Sequence, residues 1–503
     1  MRRAISTSAL AGTAVILLSL APMSAASAHE SRGDEPSATR GLAVADAGTG
    51  TEMAPVANLQ YDGSGNAQSG SDVEFLKVGK REYALAGTLR KGLQIVDITD
   101  PTAPSIAAVY DCKISQGDVQ VWKNGTRILA SYTADGTFGA AGAASTCATD
   151  LGLDAKASGT VIVDLTDPTA PTTVSFAPVP RGSHNMTIHP SGKYLYNSNS
   201  DLITSTSPTI TIYDVSVPES PRKVQDFPTP FVPASLGSES HDIMFNASGT
   251  RAYSAALSQT LILDTTDPEQ PSIVGQIVDP AVNVSHGADP VTLTGADGSR
   301  RDVLLVTDER AGAVGSAECP GGGVHVYDIT GPNERDPKKL GTWFIPVVQP
   351  QAGTRCTSHV MRVYPDQKML TIAWYGQGVR VLDISGLGDF EGSAAAVAIG
   401  DGVGMREVGN YVFPDSDTWS FKTNRIASDG SFYGYANDIT RGFDVYRFTG
   451  AGLTVAPLEP TDMRSRGTGK ANPRPAAAPT GAAVLLAAPI LAAAGMLRRR
   501  RHA

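Results

Sequence analysis

The sequence predicts an all-β fold, a seven-bladed β-propeller closed by an N-terminal strand. Three observations carry that expectation. A short apolar unit recurs seven times, and each copy has the two-residue period of a strand rather than a helical one. The 52 Gly and 33 Pro among 503 residues leave little room for long helices. The copies fall at irregular, blade-sized spacings, which is how a propeller reads in sequence.

The clearest copy is Gly92 to Asp111, GLQIVDITDPTAPSIAAVYD. An apolar strand with Leu93, Ile95 and Ile98 ends in Val-Asp. An Asp-Pro-x-x-Pro turn follows, because proline has no N–H to give to a ladder, and then a second strand. The unit returns as GTVIVDLTDPTAP from Gly159, TITIYDVSVPESP from Thr209 and TLILDTTDPEQP from Thr260. It continues as GVHVYDITGPNERDP from Gly323, GVRVLDISG from Gly378 and GFDVYRF from Gly442.

Each blade lays out as four strands, inner a to outer d. Blade 1 is expected at Asp72–Val78, Glu82–Gly87, Gly92–Ile98 and Pro104–Tyr110. Blade 2 begins at Asp118 and carries a Gly/Ala-rich insertion, Gly136 to Ser158, before its strand c. Blades 3 to 6 begin at His184, His241, His286 and His359, and blade 7 near Asp417. No outer strand follows Phe448. The segment Ala54 to Asp62, a strand d with no blade before it, is therefore expected to close the ring beside Gly442–Phe448.

The ends read as export and tethering. Residues 1–28 have the basic start, apolar run and Ala26-Ser27-Ala28 site of a secretory signal peptide. Residues 29–53 read as a flexible leader, 54–448 as the propeller and 449–480 as a linker. Residues 481–503 form a transmembrane or sorting segment: an apolar run to Leu497, then four arginines. Ala477-Ala478-Pro479-Thr480-Gly481 before it resembles a sortase sorting signal with Ala in place of Leu. The expectation is an exported protein held at the outer face of the plasma membrane or cell wall of a Gram-positive-like cell. Removing residues 1–28 and 481–503 takes away six arginines and no acids. The rest holds 35 Lys+Arg against 50 Asp+Glu, too acidic a surface for nucleic acid.

Four cysteines suit an oxidising compartment. The b–c and d–a loops share one face of the ring. Blade register puts Cys112 and Cys147 in two neighbouring loops of that face, and Cys319 and Cys356 in another two. The expected pairings are 112–147 and 319–356.

The G-h-h-I-V-D-h-T/S-D-P-x-x-P unit, with Ser-His opening the next blade, resembles the LVIVD-repeat family of secreted bacterial β-propellers. The resemblance covers roughly residues 54–448. It implies a propeller outside the cytoplasm and no particular chemistry.

Chemistry is expected where the inner strands begin. These starts align as Asp72, Asp118, His184, His241, His286, His359 and Asp417, an axial ring of four imidazoles and three carboxylates. One reading is a transition-metal site for iron, copper or zinc on His184, His241, His286 and His359, with Glu239, Asp242 and Asp289 behind them. Carotenoid-cleaving oxygenases hold iron with four histidines from propeller blades, though nothing else here resembles them. The plainer reading makes each histidine a brace bonded to Ser198, Ser254, Thr307 or Thr371 on strand b. Asp135, Asp201, Asp308, Trp374, Tyr375 and Asp438, with Glu309, follow the b strands and are expected to rim the same face, where a glycan or peptide could bind. The Val-Asp aspartates and the Asp-Pro turns read as structural. No G-x-S-x-G, H-E-x-x-H or P-loop is present. The leading expectation is a monomeric, surface-tethered, non-enzymatic propeller that binds an extracellular protein or glycan. The alternative is a metal-dependent enzyme of oxidoreductase type using the four histidines.

Overall fold

Seven four-stranded antiparallel blades surround one axis in the computed structural model. It describes residues 48–463 except 65, 234, 311–318, 349–354, 451–452 and 454. These belong to the first of two compact units, residues 1–464. The second unit, residues 465–503, lies outside the described residues, as do the expected signal peptide, most of the leader and the apolar C-terminal segment. Among the described residues no helix is long and apolar enough to cross a membrane.

Blade 1 is Gly70–Val78, Arg81–Thr88, Leu93–Asp97 and Ser105–Tyr110, paired in that order. Its strand c shows why the repeat reads as it does. Leu93 and Ile95 pack towards blade 2 with Val119 and Tyr132. Val96 and Ile98 pack towards blade 7 with Phe443 and Val445. The strand is therefore buried on both faces, as the odd step from Ile95 to Ile98 requires. Each such aliphatic side chain contributes roughly 1.5–3 kcal/mol on burial. The outermost pair of every blade carries a one-residue register shift, between Ile95 and Val96 in blade 1 and between Pro55 and Ala57 in blade 7. Such bulges add twist to the rim.

Blade 7 comprises Thr418–Lys422, Phe432–Asp438 and Gly442–Phe448, and its fourth strand is the N-terminal Met53–Leu59. Met53 lies opposite Phe448 and Leu59 opposite Phe443, so the expected closure is present. Just before it, Thr49–Thr51 pairs with Met405–Val412, the outer strand of blade 6. A hairpin, Val397–Ile399 with Asp401–Gly402, links that strand in parallel to Lys338–Phe344 of blade 5. Part of the expected linker is instead built into the fold. Leu458 bridges Ile426 in blade 7, and Asp462 bridges Lys77 in blade 1.

Both expected disulfides are formed, Cys112–Cys147 and Cys319–Cys356. The first pins the blade 2 insertion, which folds into two short helices, Gly139–Ala143 and Thr146–Leu151.

Candidate metal centre

The inner strands of blades 3 to 6 each open on a Ser-His pair, and the two residues divide the work. The serine does the bracing. Ser183 bonds Thr160 (2.8 Å) and Ser285 bonds Thr260 (2.8 Å), each at the start of the preceding blade's strand c. Ser240 receives both Ser198 (3.0 Å) and Ser254 (2.8 Å), while Ser358 donates to the carbonyls of Asp308 and Gly323. Of the hydroxyls expected to hold the imidazoles, Thr307 accepts Gly287 N–H and Thr371 donates to Phe421 O. The brace is thus one residue upstream of where the sequence suggested, which leaves the imidazoles for the axis.

The four imidazoles gather there, buried. Consecutive ring centroids are 4.3, 4.3 and 4.2 Å apart from His184 through His241 and His286 to His359. His184 Nε2 lies 3.1 Å from His241 Nε2. Glu309 stands among them. Its carboxylate is 3.9 Å from His241 Nε2, 3.8 Å from His286 Nε2 and 3.7 Å from His359 Nε2. Three Nε2 atoms thus face Glu309, and His184 Nε2 joins the group through His241; the ligand atoms of His241, His286 and Glu309 all lie within 4.8 Å of one another. Two rings are fixed from behind. His359 Nδ1–H donates to the Trp419 carbonyl (2.6 Å), and His184 Nδ1 is 3.3 Å from Asp135 Oδ1. A carbonyl or carboxylate behind the far nitrogen is how metal-binding imidazoles are oriented.

Electrostatics keep donors available. Burial, then the neighbouring imidazoles, hold His241 and His286 well below the usual histidine range, so both are neutral at pH 7. Burial also acts against charge on His184, but the Asp135 carboxylate outweighs it and raises that group. Burial pushes Glu309 up to about 7. Tyr375 is held well above 10, mainly by burial, and its protonated hydroxyl donates to Glu309 Oε1 (2.6 Å). The Tyr375 ring lies 4.4 Å from His359, with the Arg355 guanidinium 4.2 Å over it. Leu89, Trp419 and Ile439 complete an apolar wall with Tyr375.

Several sequence expectations need correction. The seven-membered axial ring is not one layer. The carboxylates find other partners than the imidazoles. Asp72 is paired with Lys422 (2.7 Å), and Asp118 groups with Asp72 and Asp242 rather than with imidazoles. Asp417 pairs with Arg355 (3.1 Å). The rim is not a solvated surface either. Asp135, Asp308, Trp374, Tyr375 and Asp438 are all buried, and only Asp201, paired with Arg181, is partly exposed. Trp374 Nε1–H donates to Pro320 O, and Asp438 accepts Thr418 Oγ1 and the Asp417, Thr440 and Arg441 N–H groups. Glu239 sits against Arg181. Glu309 was placed at the rim by its position after strand b. Asp308, immediately before it, accepts Asn283 and Val284 N–H, and Glu309 N–H donates to Val284 O, which fixes this corner of the chain.

Residues 81–112 match the family model described as LVIVD repeat. Among solved structures, the chain is similar to the periplasmic gluconolactonase PpgL of Pseudomonas aeruginosa (13% identity, 78% of this chain and 97% of that one, TM-score 0.46). It is also similar to the Cps50 (Swd1) β-propeller domain of Myceliophteria thermophila (11%, 75% and 96%, 0.43). A third is a functionally unknown protein from Desulfotomaculum acetoxidans DSM 771 (14%, 65% and 90%, 0.38). No curated protein matches. The matched stretch covers strands b, c and d of blade 1, so one blade of this seven-bladed β-propeller is similar to an LVIVD repeat, and the other blades repeat its pattern.

Proposed function

We propose that the chain is an extracytoplasmic metalloprotein, holding one transition metal on the propeller axis for oxidoreductase-type chemistry. The observation that supports this is the gathering of the His241, His286 and His359 Nε2 atoms around Glu309, with His184 Nε2 beside His241 and the bracing role taken by serines. This reverses the order of the two sequence expectations. Five of the six residues expected to offer a binding rim are buried.

The donor set fits such an ion. Neutral imidazoles with one carboxylate suit iron, copper or zinc. His184, His241, His286 and His359 would hold it, with Glu309 as a further oxygen donor. A metal there supplies Lewis-acid or one-electron chemistry. The chain's own residues do the rest. Asp135 and the Trp419 carbonyl orient two rings, Tyr375 donates its hydroxyl to Glu309 Oε1, and the wall of Leu89, Trp419 and Ile439 limits water. Two disulfides support an oxidising, extracytoplasmic setting, and the apolar 481–497 run supports a tether to membrane or wall.

Elemental analysis of the purified full-length chain tests the reading. The expected result is about one iron, copper or zinc per chain, lost in both His241→Ala and His286→Ala. A chain that stays metal-free after exposure to all three ions, while melting as a folded protein, would overturn it.

A further inference from the structure

Below the imidazoles the inner strands line the axis with a second set of groups. Blade 1 supplies Asp72 and Glu74, blade 2 Asp118, blade 3 Asn185, blade 4 Asp242 and blade 5 Asp289. Blades 6 and 7 supply Arg362 and Lys422. The charges divide unevenly. Lys422 Nζ bridges Asp72 (2.7 Å) and Glu74 (2.9 Å), and Arg362 also binds Glu74. Two cations thus balance two carboxylates. Asp118, Asp242 and Asp289 form no ion pair among the described residues, although burial and mutual repulsion act on them together.

Three buried carboxylates with no ion pair of their own, and only Lys422 and Arg362 at longer range, are unfavourable. Two oxygens there have no hydrogen-bond partner among the described residues. Asn185 Nδ2 donates to Asp242 Oδ1 (3.0 Å), which fixes the amide and leaves Asn185 Oδ1 buried and unbonded among the described residues. Asp118 is 7% exposed, and its Oδ2 is likewise unbonded. Asn185 and Asp242 keep partial exposure, so water reaches this level of the channel. The four residues come from consecutive blades and offer only oxygen.

We propose that this girdle is a second ion site, separate from the imidazole centre: a site for a hard divalent cation, Ca²⁺ above all, held by Asp118, Asn185, Asp242 and Asp289. All-oxygen donors of mixed type and irregular arrangement suit Ca²⁺ better than softer ions. The girdle is wider than the imidazole centre. His241, His286 and Glu309 bring three ligand atoms within 4.8 Å of one another, and the girdle carboxylates form no such group. The ion therefore keeps part of its water shell, and bridging waters reach the more distant carboxylates.

Calorimetric titration of the full-length chain, stripped with chelator, with Ca²⁺, Mg²⁺ and Zn²⁺ tests this. One Ca²⁺ per chain with a raised Tm is expected, and affinity at least about tenfold weaker in Asp118→Asn and in Asp289→Asn. Each of these variants removes a buried charge that has no ion pair among the described residues. Without metal they should melt no lower than the parent, so lost binding will not reflect lost folding. The His241→Ala/His286→Ala double variant should keep its Ca²⁺ and lose Zn²⁺, which separates this site from the proposed transition-metal centre. Absence of binding by both Ca²⁺ and Mg²⁺, or undiminished Ca²⁺ affinity in both Asp variants, would overturn the proposal.

Discussion

Single buried groups on the axis carry their own pH signatures, and Asp289 gives the cleanest one. Burial pushes its carboxyl up to about 7, against the opposing pull of Arg362 and Lys422; in the unfolded chain it titrates near 3.8. The folded state therefore holds the extra proton between these values. The ionised form's penalty is absent below about pH 4, grows as pH rises and is complete above 7, with an upper bound of ~4 kcal/mol. In chelator, Asp289→Asn should accordingly gain stability over the parent as pH goes from 4 to 8. Urea midpoints across that range measure it. A constant difference between the two proteins would contradict it. His241 and His286 act in the opposite sense, their contribution falling away as pH drops below 6.5, but they are common to both proteins and cancel. The histidines were legible because a repeat sets their register. Glu309 and Tyr375 were placed only at a strand end, because whether such a residue faces the axis or the solvent is decided by loops from other blades.

Within each blade, the repeat encodes turns and spacing rather than chemistry. The Val-Asp aspartate caps its own turn: Asp97 accepts Thr99 N–H, Asp164 accepts Thr166 N–H and Asp264 accepts Thr266 N–H. The Asp-Pro aspartates Asp100 and Asp167 do the same for Thr102 and Thr169. The glycine that opens strand c answers to two constraints at once. Gly92 has φ +80°, and a Cβ on it would lie 2.4 Å from the Tyr110 carbonyl of strand d; at Gly378 the values are +66° and 2.2 Å from Tyr411 O. Gly92→Ala should therefore destabilise by about 2–4 kcal/mol, from left-handed strain plus displacement of the outer strand. A lowered urea midpoint with intact circular dichroism would register it. An unchanged midpoint would mean that the rim yields freely. Local patterns such as these were readable in sequence. The pairing of Asp72 with Lys422 was not, because which blades' charges meet at the axis depends on the closed ring and not on any local pattern.

Closure of the ring is a property of the whole molecule, and three pieces of chain cross the same seam. Met53–Leu59 completes blade 7, Thr49–Thr51 reaches back to blade 6, and residues 455–463 run across blades 6, 7 and 1 through Gln367, Ile426 and Lys77. The N-terminal strand is the one that fills a blade. Asn58 Nδ2 donates to the Arg441 carbonyl and to Asp444, which is itself paired with the buried Arg441. Without this strand Gly442–Phe448 becomes an open edge, and the packing of Val56 and Leu59 against Phe443 is lost. Each blade meets only its two neighbours, so cooperativity depends on the circle being complete. Deleting residues 53–59 should replace a single calorimetric transition with a broad one of lower midpoint. Deleting 455–463 removes contacts but no strand of a blade, and should lower Tm while keeping one transition. The axial centre adds a readout beyond melting, because its four imidazoles come from blades 3 to 6 and reach blade 7 only through the Trp419 carbonyl behind His359. If the ring acts as one unit, opening it between blades 7 and 1 will weaken Zn²⁺ binding at those histidines as well. If Zn²⁺ affinity survives the 53–59 deletion unchanged, blades 3 to 6 hold their geometry alone and the closing strand serves stability only at the seam.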